Sequence, residues 1–84
     1  MKEVSFIVRI AFIGFYESAM ELFDAYGASK GDKEKADAKY EKKKEFFYKA
    51  IESEMGLNVI DIDYRFPDGV SVLLSNGEWM DLDR

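Results

Sequence analysis

The stretch Leu57–Leu82, LNVIDIDYRFPDGVSVLLSNGEWMDL, constrains the fold of this chain more than any other. Ile60, Ile62, Tyr64 and Phe66 alternate with Asp61, Asp63 and Arg65. A period of two is what a half-buried strand needs, because successive side chains point to opposite faces of a sheet. Pro67-Asp68-Gly69 follows as a turn signal, with proline presetting one backbone angle and glycine accepting a positive one. Val70 to Ser75 reads as a second strand. Asn76-Gly77 is a strong hairpin signal, since both residues tolerate the left-handed region that a type I′ turn requires. Glu78 to Leu82 reads as a third strand.

The N-terminal run Val4–Tyr16, VSFIVRIAFIGFY, is apolar but holds Arg9 at its centre and is only 13 residues long. Both facts argue against a signal-peptide core or a membrane span. Val4, Ile7, Val8, Ile10 and Ile13 are β-branched, which favours a strand. Val4, Phe6, Val8, Ile10 and Phe12 would face one side, and Ser5, Ile7, Arg9, Ala11 and Ile13 the other. With both sides largely apolar, this strand belongs inside the sheet. Gly14 would end it. A short helix then starts at a capping box of Ser18 and Glu21, carries the stripe Ala19, Leu22, Phe23 and Tyr26, and stops at Gly27. Ala28 to Gly31 reads as a loop. Asp32 can cap a longer helix to Met55, with Ala36, Tyr40, Phe47, Ile51 and Met55 on one face, joined by Phe46 and Ala50, and with Gly56 as its stop.

These elements predict one α+β domain over residues 1–84. It is a four-stranded, mostly antiparallel sheet with two helices on one face, in the order β-α-α-β-β-β. The face under the helices would carry Phe6, Val8, Ile10, Phe12, Ile60, Ile62, Tyr64, Phe66, Val70, Val72, Leu74, Met80 and Leu82.

With 84 residues the chain buries only about 60–65% of its unfolded surface, enough for one core but not for a deep, walled cleft. It contains neither cysteine nor histidine. That removes thiolate chemistry, the commonest general base and the commonest metal ligand, and it fits a reducing, cytoplasmic setting. No Ser/His or Cys/His pair and no glycine-rich phosphate loop is present. The reading is therefore not an enzyme, with no catalytic residues, no metal site and no cofactor.

The net charge of −5 is unevenly spread: residues 57–84 hold two basic and six acidic side chains, whereas residues 32–56 hold seven of each. By alternation, the outer face of the sheet would present Ile7, Ile13, Asp61, Asp63, Arg65, Leu73, Trp79, Asp81 and Asp83. An exposed tryptophan and leucine ringed by carboxylates have the composition of a binding patch, an apolar anchor with a charged rim. The plainer reading puts Trp79 around an open edge or under the N-terminal segment. If the outer strands were neighbours, the four aspartates could also converge as oxygen ligands, although no recognisable metal loop accompanies them. The lysines of residues 30–49, interleaved with Tyr40, Phe46, Phe47 and Tyr48, suggest nucleic acid. Seven acids neutralise that helix, and phosphate binding needs a net positive surface.

Val8-Arg9-Ile10-Ala11-Phe12-Ile13-Gly14-Phe15-Tyr16, an apolar run with a glycine and paired aromatics, resembles the opening strand of the Dmd antitoxins of T-even bacteriophages. The helix end Tyr48-Lys49-Ala50-Ile51 is similar in kind. The resemblance implies a small phage protein that binds and blocks a host ribonuclease toxin. The present chain departs from that family in its longer charged helix and two further C-terminal strands.

The functional expectation is a small acidic protein-binding module, an inhibitor or regulator, docking on a basic surface of a larger protein through Trp79, Leu73, Asp61, Asp63, Arg65, Asp81 and Asp83. The alternatives are a homodimer through the same outer face and a nucleic-acid binder through the lysine-rich helix. No membrane partner is expected.

Overall fold

The structure is a computed structural model that describes residues 4–27 and 29–83. Its main departure from the sequence reading is at the N-terminus, where a helix, α1, spans Phe6–Asp24 in place of the expected strand. Ser5 caps it, its Oγ accepting the Val8 N–H at 3.2 Å. Val8, Ala11, Phe12, Phe15, Tyr16 and Ala19 recur at helical spacing and are all buried. Ile7, Ile10 and Ile13, whose branching favoured a strand, line the exposed side with Phe6. Phe6 and Ile10 are therefore not core residues. Ser18 does not cap a helix either. It is buried within α1, and its hydroxyl donates to the Phe15 carbonyl at 2.7 Å. Gly14 sits inside the helix, where a Cβ would lie 3.5 Å from Lys43 Cδ of the next one.

A 3₁₀ turn at Ala25–Gly27 leads to α2, Lys30–Met55. Of the loop expected over residues 28–31, Ala28 lies outside the described residues. Ser29, not Asp32, is the cap: its Oγ accepts the Asp32 N–H at 3.4 Å and donates to the Asp32 carboxylate at 3.0 Å. Gly56 closes the helix with φ 68°, as its position predicted. Phe47, Ala50 and Ile51 are buried, Tyr40 and Met55 are half-buried, and Phe46 is exposed. α2 runs antiparallel to α1, tied by Lys39 to Glu21 at 3.0 Å.

Three strands complete the chain: β1 Val59–Arg65, β2 Gly69–Leu74 and β3 Trp79–Asp83, antiparallel in the order β1-β2-β3. Among the described residues the architecture is thus α-α-β-β-β, with three strands and no leading strand. The first strand carries a bulge. Val59 opposes Leu74 and Asp61 opposes Leu73, so Ile60 is the extra residue and turns to solvent. It leaves the core face for that reason. Beyond the bulge the alternation holds: Val70, Val72, Leu74 and Leu82 are buried beneath the helices, with Ile62, Tyr64 and Met80 half-buried beside them.

Both hairpin turns form where the sequence placed them. In the second, the Gly77 N–H donates to the Leu74 carbonyl and the Leu74 N–H to the Glu78 carbonyl, both at 2.9 Å. Among the described residues positive φ occurs only at glycines, Gly77 at 86° included. The loop is therefore the three-residue form with one left-handed glycine, not the type I′ turn in which Asn76 would also be left-handed. At Gly69 a Cβ would overlap the Leu82 carbonyl oxygen, so only glycine fits the start of β2.

One core joins all five elements. Phe15 of α1 stacks on Phe47 of α2 at 5.0 Å between centroids, and Tyr16 stacks on Phe66 at 5.2 Å. Among the described residues no helix is long and apolar enough to cross a membrane. Phe15→Ala is expected to lower unfolding free energy by about 3–5 kcal/mol, and Ile10→Ala to change it by less than about 0.5 kcal/mol. Urea unfolding followed by circular dichroism checks both. The reverse ranking would fit the strand that the sequence suggested.

Candidate functional site

Among the described residues the helices pack on the face of Val70, Val72, Leu74 and Leu82, and strand register alone assembles the residues on the opposite, outer face. Asp61, Leu73 and Trp79 form one cross-strand row, Asp63, Ser71 and Asp81 the next, and Arg65, Gly69 and Asp83 the third. All seven residues expected at the site therefore share one face. Ile7 and Ile13, expected on it as well, sit on α1 instead.

The rows differ in chemistry. In the first, Trp79 is 52% exposed and Leu73 is half-buried beside it. The other two are joined by a polar chain. Arg65 Nε donates to Ser71 Oγ at 2.9 Å, and Arg65 Nη2 donates to Asp83 Oδ1 at 3.1 Å and to the Val70 carbonyl at 3.3 Å. Ser71 Oγ in turn donates to Asp81 Oδ1 at 2.6 Å. The guanidinium crosses β2 above Gly69, which has no side chain in the way. Asp81 and Asp83 each accept a hydrogen bond from a neighbouring side chain on the same face. Asp61 is fixed locally, its Oδ1 accepting the Ile62 N–H at 2.9 Å beside the bulge.

β2 lies between β1 and β3, so the two aspartate pairs do not converge. Asp63 and Asp81 stand two strand spacings apart, about 9–10 Å. Among the described residues no three carboxylate, histidine or cysteine side chains come close enough to hold a metal ion. The face still carries four carboxylates against one guanidinium.

A groove of about 640 Å³ borders this face along the outer side of β3, lined by Val4, Arg9, Met55 and residues 78–83. Sequence reasoning missed Val4, Arg9 and Met55, because the strand assigned to residues 4–13 placed Val4 and Arg9 elsewhere. Three lysines of the lysine-rich helix form ion pairs: Lys39 with Glu21, Lys44 with Glu41 and Lys49 with Glu45, at 2.9–3.2 Å. A second apolar surface, also missed, is the exposed side of α1 with Phe6, Ile7, Ile10 and Ile13.

One further polar cluster lies between α2 and β1. The Tyr40 and Tyr64 hydroxyls hydrogen-bond each other. Burial, and then that bond, push the Tyr64 phenol well above its ordinary range, and burial also raises Tyr48. Phenols raised in this way stay protonated at neutral pH, so the cluster joins helix to sheet and supplies no base.

Comparison of the chain with known family models, curated proteins and solved structures returns no match.

The tyrosine cluster predicts alkaline behaviour. In the unfolded chain Tyr64 ionises near about pH 10, whereas the folded protein keeps it neutral beyond that. Its contribution to stability is fully present below about pH 10 and is lost as the pH rises further. Urea midpoints should hold steady from about pH 8 to 9.5 and fall above, less steeply in Tyr64→Phe. Equal slopes for the two proteins would remove Tyr64 from the account.

Proposed function

We propose that this chain is a small acidic protein-binding module, an inhibitor or regulator, that sets the outer face of its sheet on a basic surface of a larger protein. The observation that carries this reading is Trp79, half-exposed beside Leu73 on a face whose other side chains are mainly carboxylates. Large aromatic side chains that become fully desolvated dominate many interfaces, and surrounding charges steer encounter and exclude wrong partners. Asp61, Asp63, Asp81 and Asp83 take the second role. The Arg65–Ser71 chain supports both roles by ordering two of these carboxylates beforehand, which lowers the entropy lost on docking. An antitoxin-like task belongs to this class of function, and the absence of cysteine fits work in the cytoplasm.

A second reading rests on α1. Phe6, Ile7, Ile10 and Ile13 are each at least 43% exposed and follow one another along one side of the helix. Pairing of two copies through this surface would bury it. The sheet face favours a homodimer less, because like carboxylates would oppose one another.

Trp79→Ala is expected to leave the circular dichroism spectrum unchanged and to weaken partner binding by about 2 kcal/mol or more, roughly 30-fold. Asp61→Asn with Asp63→Asn should slow association and flatten its salt dependence. Unfolding of Trp79→Ala, or undiminished capture by it, would overturn the reading. For the second reading, sedimentation equilibrium should give more than the 9.7 kDa monomer at high concentration and the monomer alone for Ile10→Glu.

A further inference from the structure

β3 is an edge strand with an open side. The bond from the Leu74 N–H to the Glu78 carbonyl fixes the alternation of the β2–β3 ladder. With the pairing of Val72 to Met80 and Val70 to Leu82, it follows that Met80 and Leu82 direct their backbone groups at β2. Trp79, Asp81 and Asp83 direct theirs away from it. Among the described residues no strand pairs with that side. Beside it runs the groove of about 640 Å³, to which Val4, Met55, Met80 and Leu82 contribute apolar surface. A free backbone edge next to an apolar trough can receive an added strand.

Charge selects the occupant. Glu78, Asp81 and Asp83 contribute to the lining against a single cation, Arg9, so the groove carries a net negative charge. A second copy pairing antiparallel through β3 about Asp81 would set Asp81 against Asp81, and like charges directly opposite are destabilising. A strand bearing lysine or arginine opposite Asp81 and Asp83 would pair with them instead. Its intervening residues would then point toward the groove, where apolar side chains fit. We infer that the β3 edge accepts an extended segment of the partner, alternating basic and apolar residues, as a fourth antiparallel strand. This rests on the proposed docking role of the outer face and specifies how the partner is held.

The test uses the full chain and the peptide acetyl-Val-Lys-Val-Lys-Val-Lys-amide. Two controls have the same charge: the block peptide acetyl-Val-Val-Val-Lys-Lys-Lys-amide, and the alternating peptide N-methylated at each lysine backbone nitrogen. Trp79 fluorescence reports affinity, and amide hydrogen exchange by NMR reports position. The alternating peptide should bind about tenfold tighter than either control, as expected for two or three backbone hydrogen bonds. It should also slow exchange at Trp79, Asp81 and Asp83. Equal affinity for the N-methylated peptide would overturn the proposal, since charge alone would then account for binding. Binding that shifts Leu73 and Asp63 without protecting Asp81 would overturn the added strand while leaving the outer face as a docking surface. Failure of all three peptides to bind would also overturn it, and the outer-face reading would still be decided by Trp79→Ala. As a second check, Asp81→Pro removes an outward N–H without touching the ladder to β2, and it should abolish binding that Asp81→Ala only weakens.

Discussion

The contact on which the rest of this structure depends is the packing of Phe15. It stacks on Phe47 of α2, meets Tyr40 about two helical turns earlier in the same helix, and reaches Tyr64 of β1 at 6.2 Å between centroids. One fully buried side chain thus bonds the two helices to each other and both to the sheet. Aromatic pairs in such offset arrangements contribute about 0.5–1.5 kcal/mol beyond the area they bury. In a domain this small, with one core and no disulfide, that cluster fixes how the helices sit on the sheet. It therefore also fixes which sheet face is left uncovered.

The C-terminal half was legible from sequence because its signals are local. Alternation from Ile62 onward, glycine at positions 69 and 77, and the stop at Gly56 each reflect a backbone requirement that short-range chemistry satisfies. The N-terminal half was not. Phe6 to Ile13 is apolar at almost every position, so periods of two and of 3.6 both fit, and β-branching tipped the reading toward a strand. The deciding information was Ser5 in capping position and the continuation of the buried stripe through Phe15, Tyr16 and Ala19. A helix of two apolar sides looks like a strand of two apolar faces until something is seen to bury only one of them. The bulge at Ile60 is a smaller case: nothing in Val59-Ile60-Asp61 marks an extra residue.

The outer sheet face survived this misreading almost intact. Its membership depends on register within the hairpins, and turn chemistry sets that register independently of α1. The loss of Ile7 and Ile13 makes the face more acidic and less apolar than the sequence implied, concentrating its apolar surface at Leu73 and Trp79. The polar chain from Asp83 through Arg65 and Ser71 to Asp81 was not foreseeable, because it requires a guanidinium to pass over a residue without a side chain.

α2 is 26 residues long, which at 1.5 Å per residue is about 39 Å, close to the 41 Å long axis of the whole described molecule. Its first ten residues bury almost nothing, and their tethers are Ser29 at the cap, a lysine over the Tyr26 ring and Lys39 on Glu21. Such a segment forms a unit of low local stability, able to open and reclose without the core taking notice. Its length is accordingly only weakly constrained by the core. Residues added or removed there would change the reach of the molecule while leaving Phe47, the sheet and the acidic face where they are.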